Sequence, residues 1–193
     1  MDLFRIGYAL KHAWLARGML KKFLIDPRCS IGSLAEITPQ RLDDAHIAIL
    51  ILDFDGVLGP HDADEPLPEV AQWLRALSGV IGEQRIAILS NKPKPARLRY
   101  FSTHFPSINF VYGVPKKPYP EGLLSIAEYR GVPPHRVALV DDRLLTGMLA
   151  TYLGSTQAWY FRQPIQNFRQ HFFKECFFSF LRGLERGMVR LLG

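Results

Sequence analysis

The chain has 193 residues, 48% of them hydrophobic and 22% charged, which fits one globular domain with a sizeable core and excludes disorder as the default state. Its net charge of +6 belongs to the two ends, since residues 1–28 and residues 161–193 each carry six Lys and Arg against two acids. The middle, residues 29–160, carries twelve basic against fourteen acidic residues. This distribution argues against a nucleic-acid partner for the core and predicts ends that meet an anionic surface.

The middle of the chain alternates between strand and helix patterns. Short apolar runs predict strands at 47–53, 85–90, 108–112, 136–141 and 156–161. Helical spacing of apolar residues predicts helices at 67–78, 94–105, 120–130 and 144–153, and the third of these begins with a proline and ends before Gly131. Strands and helices that alternate at this pitch predict an α/β fold, with a parallel sheet covered by helices on both faces.

Polar residues follow three of these strands at the point where each strand ends. Asp53, Ser90 and the pair Asp141 and Asp142 all fall at carboxyl ends, where parallel sheets bind their ligands. Asp53 and Asp55 lie one residue apart after an apolar run. Two such carboxylates repel each other, so either they are solvated at an exposed strand end or they face a cation.

The two ends, residues 1–24 and 168–192, mix Phe, Leu and Met with Lys and Arg, a pattern typical of amphipathic helices. Such a helix either packs on its own domain or lies on a membrane surface, and the aromatic run FFKECFFSFL at 172–181 favours the membrane. Neither a run of 18 apolar residues nor a signal peptide is visible. We therefore expect a cytoplasmic protein, peripheral on the inner face of the membrane, with reduced cysteines.

The motifs of the chain, in order, resemble those of a known enzyme family. DFDGV begins at Asp53, SNK at Ser90, KKP at Lys116 and VDDRLLTG at Val140, and the flanking runs MLKKFLIDP and LGS extend the likeness from about residue 19 to the last strand. Together they resemble the haloacid dehalogenase (HAD) superfamily, in particular its capless YqeG family of subclass IIIA. That family is related to the mitochondrial phosphatidylglycerophosphate phosphatase. The resemblance implies a three-layer Rossmann-like fold and a phosphatase.

The resemblance also implies a role for each motif, and the roles agree with what phosphoryl transfer requires. Asp53 is expected to attack phosphorus and form an aspartyl-phosphate, while Asp55 serves as general acid and base. Ser90 and Asn91 are expected to bind phosphate oxygens, and Lys117 to offset their negative charge. Ser90 could instead be an ordinary turn residue, and Lys116 rather than Lys117 could be the functional lysine.

A Mg²⁺ ion is the implied cofactor, held by Asp53, the backbone carbonyl of Asp55, and Asp142, with Asp141 as an additional acid. The family usually ends its last motif with a second acid, in the pattern G-D-x-x-x-T-D, whereas this chain has Asp141 at the leading position and Gly147 at the closing one. Either Asp141 compensates for the missing acid, or Mg²⁺ binds weakly and the enzyme is slow or inactive. Under the second alternative, Gly147→Asp should raise Mg²⁺ affinity.

The motif spacing bears on the substrate. Asp53 and Ser90 are 37 residues apart, and Ser90 and Lys117 are 27 apart, which leaves no room for a cap domain. An open site suits a phosphate carried by something large, and the resemblance implies phosphatidylglycerophosphate at an anionic membrane surface. The alternatives are a phosphatase for soluble or macromolecular phosphoesters and a weakened HAD-fold binding protein. We divide the chain into a basic segment at 1–28, a phosphatase core at 29–165 and a basic aromatic helix at 166–193.

Overall fold

The structure, a computed structural model, describes residues 3–192 and contains one six-stranded sheet in which all strand pairs are parallel. The sheet order is β1-β6-β5-β2-β3-β4. The strands are β1 Ser30–Ile31, β2 Ile49–Leu52, β3 Ile86–Leu89, β4 Asn109–Val111, β5 Val137–Asp141 and β6 Gln157–Phe161. The predicted α/β fold is confirmed, and among residues 3–192 no cap domain is inserted into the sheet.

Helices connect and flank the strands. They are α1 Leu3–Leu15, α2 Arg17–Ile25, α3 Pro39–Asp44, α4 Pro68–Ile81, α5 Pro95–His104, α6 Glu121–Tyr129, α7 Leu149–Leu153 and α8 Phe168–Leu192. A π-helical turn, Leu144–Met148, precedes α7 within the predicted helix at 144–153. Sequence reasoning missed β1, which is only two residues long, and α3, although Thr38 caps α3 and Pro39 begins it.

Alternation along the strands divides the core between the two faces of the sheet. Leu50 belongs to the apolar cluster that includes side chains of α4 and α5, whereas its neighbour Ile51 belongs to the cluster that includes α6 and α7. Every residue of β2, β3 and β5 is buried. Strands buried on both faces need apolar side chains throughout, which explains the continuous apolar runs in the sequence.

The end helices pack together on one side of the sheet. A third apolar cluster joins α1, α2 and α8 to β6 and to the π-helical turn, through residues that include Ala13, Leu20, Phe23, Met148, Tyr160 and Val189. The N-terminal segment is divided at Ala16 into two helices, and α8 contains a non-helical residue at His171. Within residues 3–192, no helix combines the length and apolar character that crossing a membrane requires.

Candidate active site

Three neighbouring strands bring the predicted polar residues to one edge of the sheet. The order β5-β2-β3 places Asp53, after β2, between Ser90, after β3, and the pair Asp141 and Asp142 at the end of β5. The Asp53 N–H donates to the Val140 carbonyl at 3.0 Å, so the parallel pairing continues into the site. The backbone of the sheet therefore fixes the spacing between these side chains.

Lys117 is buried, and its ammonium group joins two of the carboxylates. Its Nζ lies 2.9 Å from Asp53 Oδ1 and 2.5 Å from Asp141 Oδ2, and it donates to the Leu89 carbonyl at 3.1 Å. Burial alone lowers the pKa of Lys117, but the charges of Asp141 and Asp53 outweigh burial and raise it above its ordinary value. Lys116 is exposed, so the buried cation of this loop is Lys117.

Asn91 and Ser90 differ in what they contact. The Asn91 amide donates to the Lys117 carbonyl at 3.2 Å and accepts from the Lys117 N–H at 2.7 Å, so it holds the lysine loop. This arrangement differs from the predicted phosphate contact of Asn91. The Ser90 hydroxyl oxygen accepts from the Lys92 N–H at 3.2 Å and from Arg97 Nη1 at 3.4 Å. Both bonds use Ser90 as an acceptor, which leaves its proton available to a phosphate oxygen.

Asp53, Asp141 and Asp142 form a buried cluster in which one oxygen from each lies within 4.8 Å of the others. Burial, reinforced by the nearby Asp141 charge, raises the pKa of Asp53 to about 8 and that of Asp142 to about 7, against the opposing pull of Lys117 and Arg182 respectively. A divalent cation would relieve this crowding, and carboxylate oxygens are the ligands that hard cations prefer. The donor set therefore fits a divalent metal ion.

The hydrogen bonds indicate which oxygens remain for such an ion. Lys117 takes one oxygen of Asp53, and Arg182 takes Oδ2 of Asp142 at 2.8 Å. Asp141 has both oxygens engaged, Oδ2 by Lys117 and Oδ1 by the Arg143 N–H at 2.9 Å. Asp53 and Asp142 are thus the more suitable direct ligands, while Asp141 orients Lys117.

Gly56 lets the chain approach the cluster closely. Its φ of +86° is in the region that side chains other than glycine rarely adopt, and a Cβ atom there would lie 2.6 Å from Asp142 Oδ2. The glycine that follows Asp55 is therefore required both for the turn and for the space that Asp142 occupies.

Gly147 is explained by the position of Asp141. A Cβ atom at 147 would lie 2.1 Å from Asp141 Cγ and 2.2 Å from its Oδ2. The carboxyl group of Asp141 therefore fills the space beside position 147. Asp141 thus takes the place of the missing acid in space, while its two oxygens bond Lys117 and the Arg143 N–H. This geometry argues against the expected gain from Gly147→Asp, because the new side chain would collide with Asp141.

Asp55 is held by Arg97, a residue that sequence reasoning missed. Arg97 lies on α5, seven residues after Ser90, and its guanidinium contacts both carboxylate oxygens of Asp55. The Asp55 backbone also leads directly into a loop whose Asp62 N–H donates to Asp55 Oδ1 at 3.2 Å. The only available sequence signal was an arginine in the first turn of a helix that starts at Pro95.

Helix α8 also reaches the site, which the sequence did not predict. Arg182 is buried and donates to Asp142 Oδ2. Glu185 accepts from Arg143 Nε and from the Leu144 N–H, each at 2.9 Å, next to Asp142. Charged side chains of the last helix are therefore part of the surroundings of the candidate metal ligands.

A third buried charge of α8, Glu175, pairs with the loop after Asp55. It accepts from the His61 backbone N–H at 3.1 Å and lies 3.2 Å from His61 Nδ1. Burial lowers the pKa of His61, although the Glu175 charge opposes that shift. His61 is a packing residue with a specific polar partner, and its ring stacks on Phe178 at 3.8 Å between centroids.

Comparison with known proteins agrees with this geometry. The sequence model of the haloacid dehalogenase-like hydrolase family matches residues 8–150, about three quarters of the chain. The chain belongs to the haloacid dehalogenase-like hydrolase family. It is 26% identical over 133 residues to the probable phosphatase YqeG of Bacillus subtilis (strain 168), a match that covers 68% of this chain and 73% of that protein.

Solved structures resemble the chain more distantly. An uncharacterized protein from Corynebacterium glutamicum has 24% identity and a TM-score of 0.48, over 71% of this chain and 96% of its own. The cobalt-bound deoxy-D-mannose-octulosonate 8-phosphate phosphatase from Haemophilus influenzae has 16% identity and a TM-score of 0.44, over 71% of this chain and 90% of its own. The family match confirms the predicted HAD membership and the prediction that the chain is a hydrolase.

Proposed function

We propose that this hydrolase is a Mg²⁺-dependent phosphomonoesterase that acts on the phosphate of a lipid headgroup, phosphatidylglycerophosphate, at an anionic membrane surface. The observation that supports the chemistry most strongly is the meeting of Asp53, Lys117, Ser90 and the metal-suited carboxylates at one edge of the sheet. Phosphoryl transfer needs a positioned nucleophile and positive charge around the phosphate oxygens, and this edge supplies both.

In the first step, a carboxylate oxygen of Asp53 bonds to phosphorus, and the bond between phosphorus and the ester oxygen breaks. The ester oxygen keeps the electron pair and takes a proton from Asp55, so the alcohol leaves neutral. The hydroxyl of Ser90 and the ammonium of Lys117 bind the transferred phosphoryl oxygens. The product of this step is an aspartyl-phosphate on Asp53.

In the second step, water attacks the phosphorus of the aspartyl-phosphate. Asp55, now ionised, accepts a proton from that water, and the bond between Asp53 and phosphorus breaks to release inorganic phosphate. Mg²⁺, held by Asp53, Asp142 and the backbone carbonyl of Asp55, would neutralise negative charge on the phosphoryl group when bound. Both steps leave Asp53 and Asp55 as they began.

The lipid part of the proposal is supported by an inverted distribution of residues on α8. Its buried residues are mostly charged, namely Glu175, Arg182, Glu185 and Val189. Its exposed residues include Phe173, which is 86% exposed, and Phe180, which is 62% exposed. A helix that faces water normally presents the opposite arrangement. The exposed aromatic face of α8, defined by Phe172, Phe173, Phe177, Phe180 and Leu184, suits insertion into a bilayer surface.

Charge around this face fits an anionic partner. Arg169 and Arg190 of α8 are exposed, whereas the exposed Lys174 is already paired with Asp62. Each basic residue near an anionic leaflet contributes about 1 kcal/mol of binding. Helix α1 adds exposed Leu10 and Trp14 within the basic N-terminal segment. Since the inner side of α8 borders Asp142, a membrane at its outer side would lie near the catalytic edge.

The chemistry is tested by measuring phosphate release from phosphatidylglycerophosphate in anionic vesicles with Mg²⁺, for the wild type and for Asp53→Asn. We expect release by the wild type and none above background by the variant. A soluble substrate, 4-nitrophenyl phosphate, is assayed in parallel. If the wild type hydrolyses only the soluble ester, the proposed lipid substrate is wrong. If it hydrolyses neither substrate, the proposed phosphatase activity is wrong.

The membrane surface is tested with a triple variant, Phe173→Ser, Phe177→Ser and Phe180→Ser, which leaves the inner face of α8 intact. We expect vesicle binding to weaken by at least about tenfold, because the apolar contribution is lost, while turnover of 4-nitrophenyl phosphate stays at the wild-type level. The matched control is Val80→Ser, which removes an exposed apolar side chain from α4. Unchanged vesicle binding by the triple variant would contradict the proposed membrane surface. If the wild type is a dimer and the triple variant is a monomer, the exposed aromatic face binds a second copy of the chain instead.

A further inference from the structure

Arg97 makes the most extensive set of polar contacts near the candidate general acid. It is fully buried, with Nη1 at 3.0 Å from Asp55 Oδ2 and Nη2 at 2.7 Å from Asp55 Oδ1. Its guanidinium carbon lies 3.7 Å from the centroid of the Phe54 ring. Two parallel hydrogen bonds fix the plane and the direction of a carboxylate, which one bond to a lysine cannot do.

The guanidinium is itself held from the other side. Its Nε donates to the Ala63 carbonyl at 2.8 Å, and Nη1 also lies within 3.2 Å of the Lys92 carbonyl. These acceptors belong to the two loops that follow Asp55 and Ser90. Arg97 therefore has little freedom to rotate, and the fixed guanidinium also fixes the orientation of the Asp55 carboxylate.

We propose that Arg97 is the positioning residue of the acid/base group, holding the Asp55 carboxyl in the orientation from which it protonates the departing oxygen. This inference rests on the proposed function, in which the bond between phosphorus and the ester oxygen breaks as that oxygen takes the Asp55 proton. Asp55 Oδ1 also accepts from the Asp62 N–H, whereas Oδ2 keeps a lone-pair position beside its bond to Arg97, so the clamp leaves Oδ2 as the place for the proton. Without the clamp, the carboxyl group rotates and donates less efficiently.

A positioning role predicts a dependence on the leaving group. A nitrophenolate leaves as a stable anion and needs no proton, whereas a benzyl alkoxide does. For Arg97→Met we expect kcat/KM for 4-nitrobenzyl phosphate to fall about 100-fold, the scale of general acid catalysis, and kcat/KM for 4-nitrophenyl phosphate to fall by less than about threefold. Arg97→Lys, which keeps the charge but not the paired geometry, should show the same selectivity to a smaller degree.

The measured quantity is the ratio of the two kcat/KM values on one enzyme sample. The folded fraction cancels from this ratio, so the result holds even if the variant is partly unfolded. The matched control is Arg85→Met, since Arg85 bonds the Ala48 and Ile47 carbonyls at the opposite end of the strands and should leave the ratio unchanged. Asp55→Asn should change the ratio in the same direction as Arg97→Met.

A double variant completes the test. If Arg97 acts through Asp55, then Arg97→Met combined with Asp55→Asn has the same ratio as Asp55→Asn alone, because the second change has nothing left to disturb. An unchanged ratio in Arg97→Met and Arg97→Lys, with both rates lowered equally, would overturn the inference and leave Arg97 a structural residue. Hydrolysis of neither ester by the wild type would instead overturn the proposed function, and with it this inference.

Discussion

Replacing Gly147 by alanine should destabilise the protein, although alanine is usually favoured over glycine in helical segments. A Cβ atom at 147 would lie 2.1 Å from Asp141 Cγ, 2.2 Å from Oδ2 and 2.4 Å from Cβ. Rotation of Asp141 moves the first two atoms but not its Cβ, which is fixed by β5. The π-helical turn must therefore shift away from the strand, and the 2.5 Å contact between Asp141 and Lys117 must lengthen.

The expected loss of stability in Gly147→Ala follows from the cost of adding a methyl group to a packed interior. Overpacking costs about 1–3 kcal/mol, which lowers the melting temperature of a chain of this length by about 2–12 °C. The matched control is Gly79→Ala on α4, where a Cβ atom would have nothing within 4 Å. That substitution should stabilise the protein by about 0.4–1 kcal/mol.

The assay is urea unfolding of both alanine variants beside the wild type, with Mg²⁺ affinity measured by calorimetry. Gly147→Asp should weaken Mg²⁺ binding, and the exchange Asp141→Gly with Gly147→Asp should recover part of the loss, since it removes the collision and keeps one carboxylate. A Gly147→Ala variant within about 0.5 kcal/mol of the wild type would refute the steric reasoning. So would a Gly147→Asp variant that binds Mg²⁺ more tightly than the wild type.

Three further predictions concern the metal site and α8. The pKa is raised to about 8 in Asp53 and to about 7 in Asp142, so protons compete with a metal ion for these carboxylates. Mg²⁺ affinity should therefore rise by at least about tenfold from pH 6 to pH 8.5. Equal affinity at the two pH values, measured by calorimetry, would contradict this prediction. Glu175→Ala should cost about 1–3 kcal/mol in urea unfolding by leaving a buried N–H unpaired, whereas Glu128→Ala, at an exposed position, should cost less than about 0.5 kcal/mol. Deleting 168–193 should abolish turnover even of small esters, because it strips charged partners from the site, and a fully active truncated enzyme would show that α8 is dispensable.

Several parts of the site could be predicted from sequence because they follow from strand ends. Asp53, Ser90 and Asp141 each come directly after or at the end of an apolar run, and carboxyl ends of neighbouring parallel strands meet at one edge. Lys117 was predicted as a site residue from the family resemblance rather than from periodicity, and its Nζ lies 2.9 Å from Asp53 Oδ1 in the structure. Strand and helix boundaries were predicted to within a few residues, since alternation and helical spacing are local properties.

The partners of these residues were decided only by the tertiary structure. Arg97 meets Asp55 across 42 residues, Arg182 meets Asp142 across 40, and Glu175 meets the His61 N–H across 114. No local pattern encodes such pairings, because they depend on how α5 and α8 pack against loops far away in the chain. The sequence by itself determined which chemistry the strand ends can carry, whereas packing determined which charges hold those groups in place and which face of α8 remains exposed.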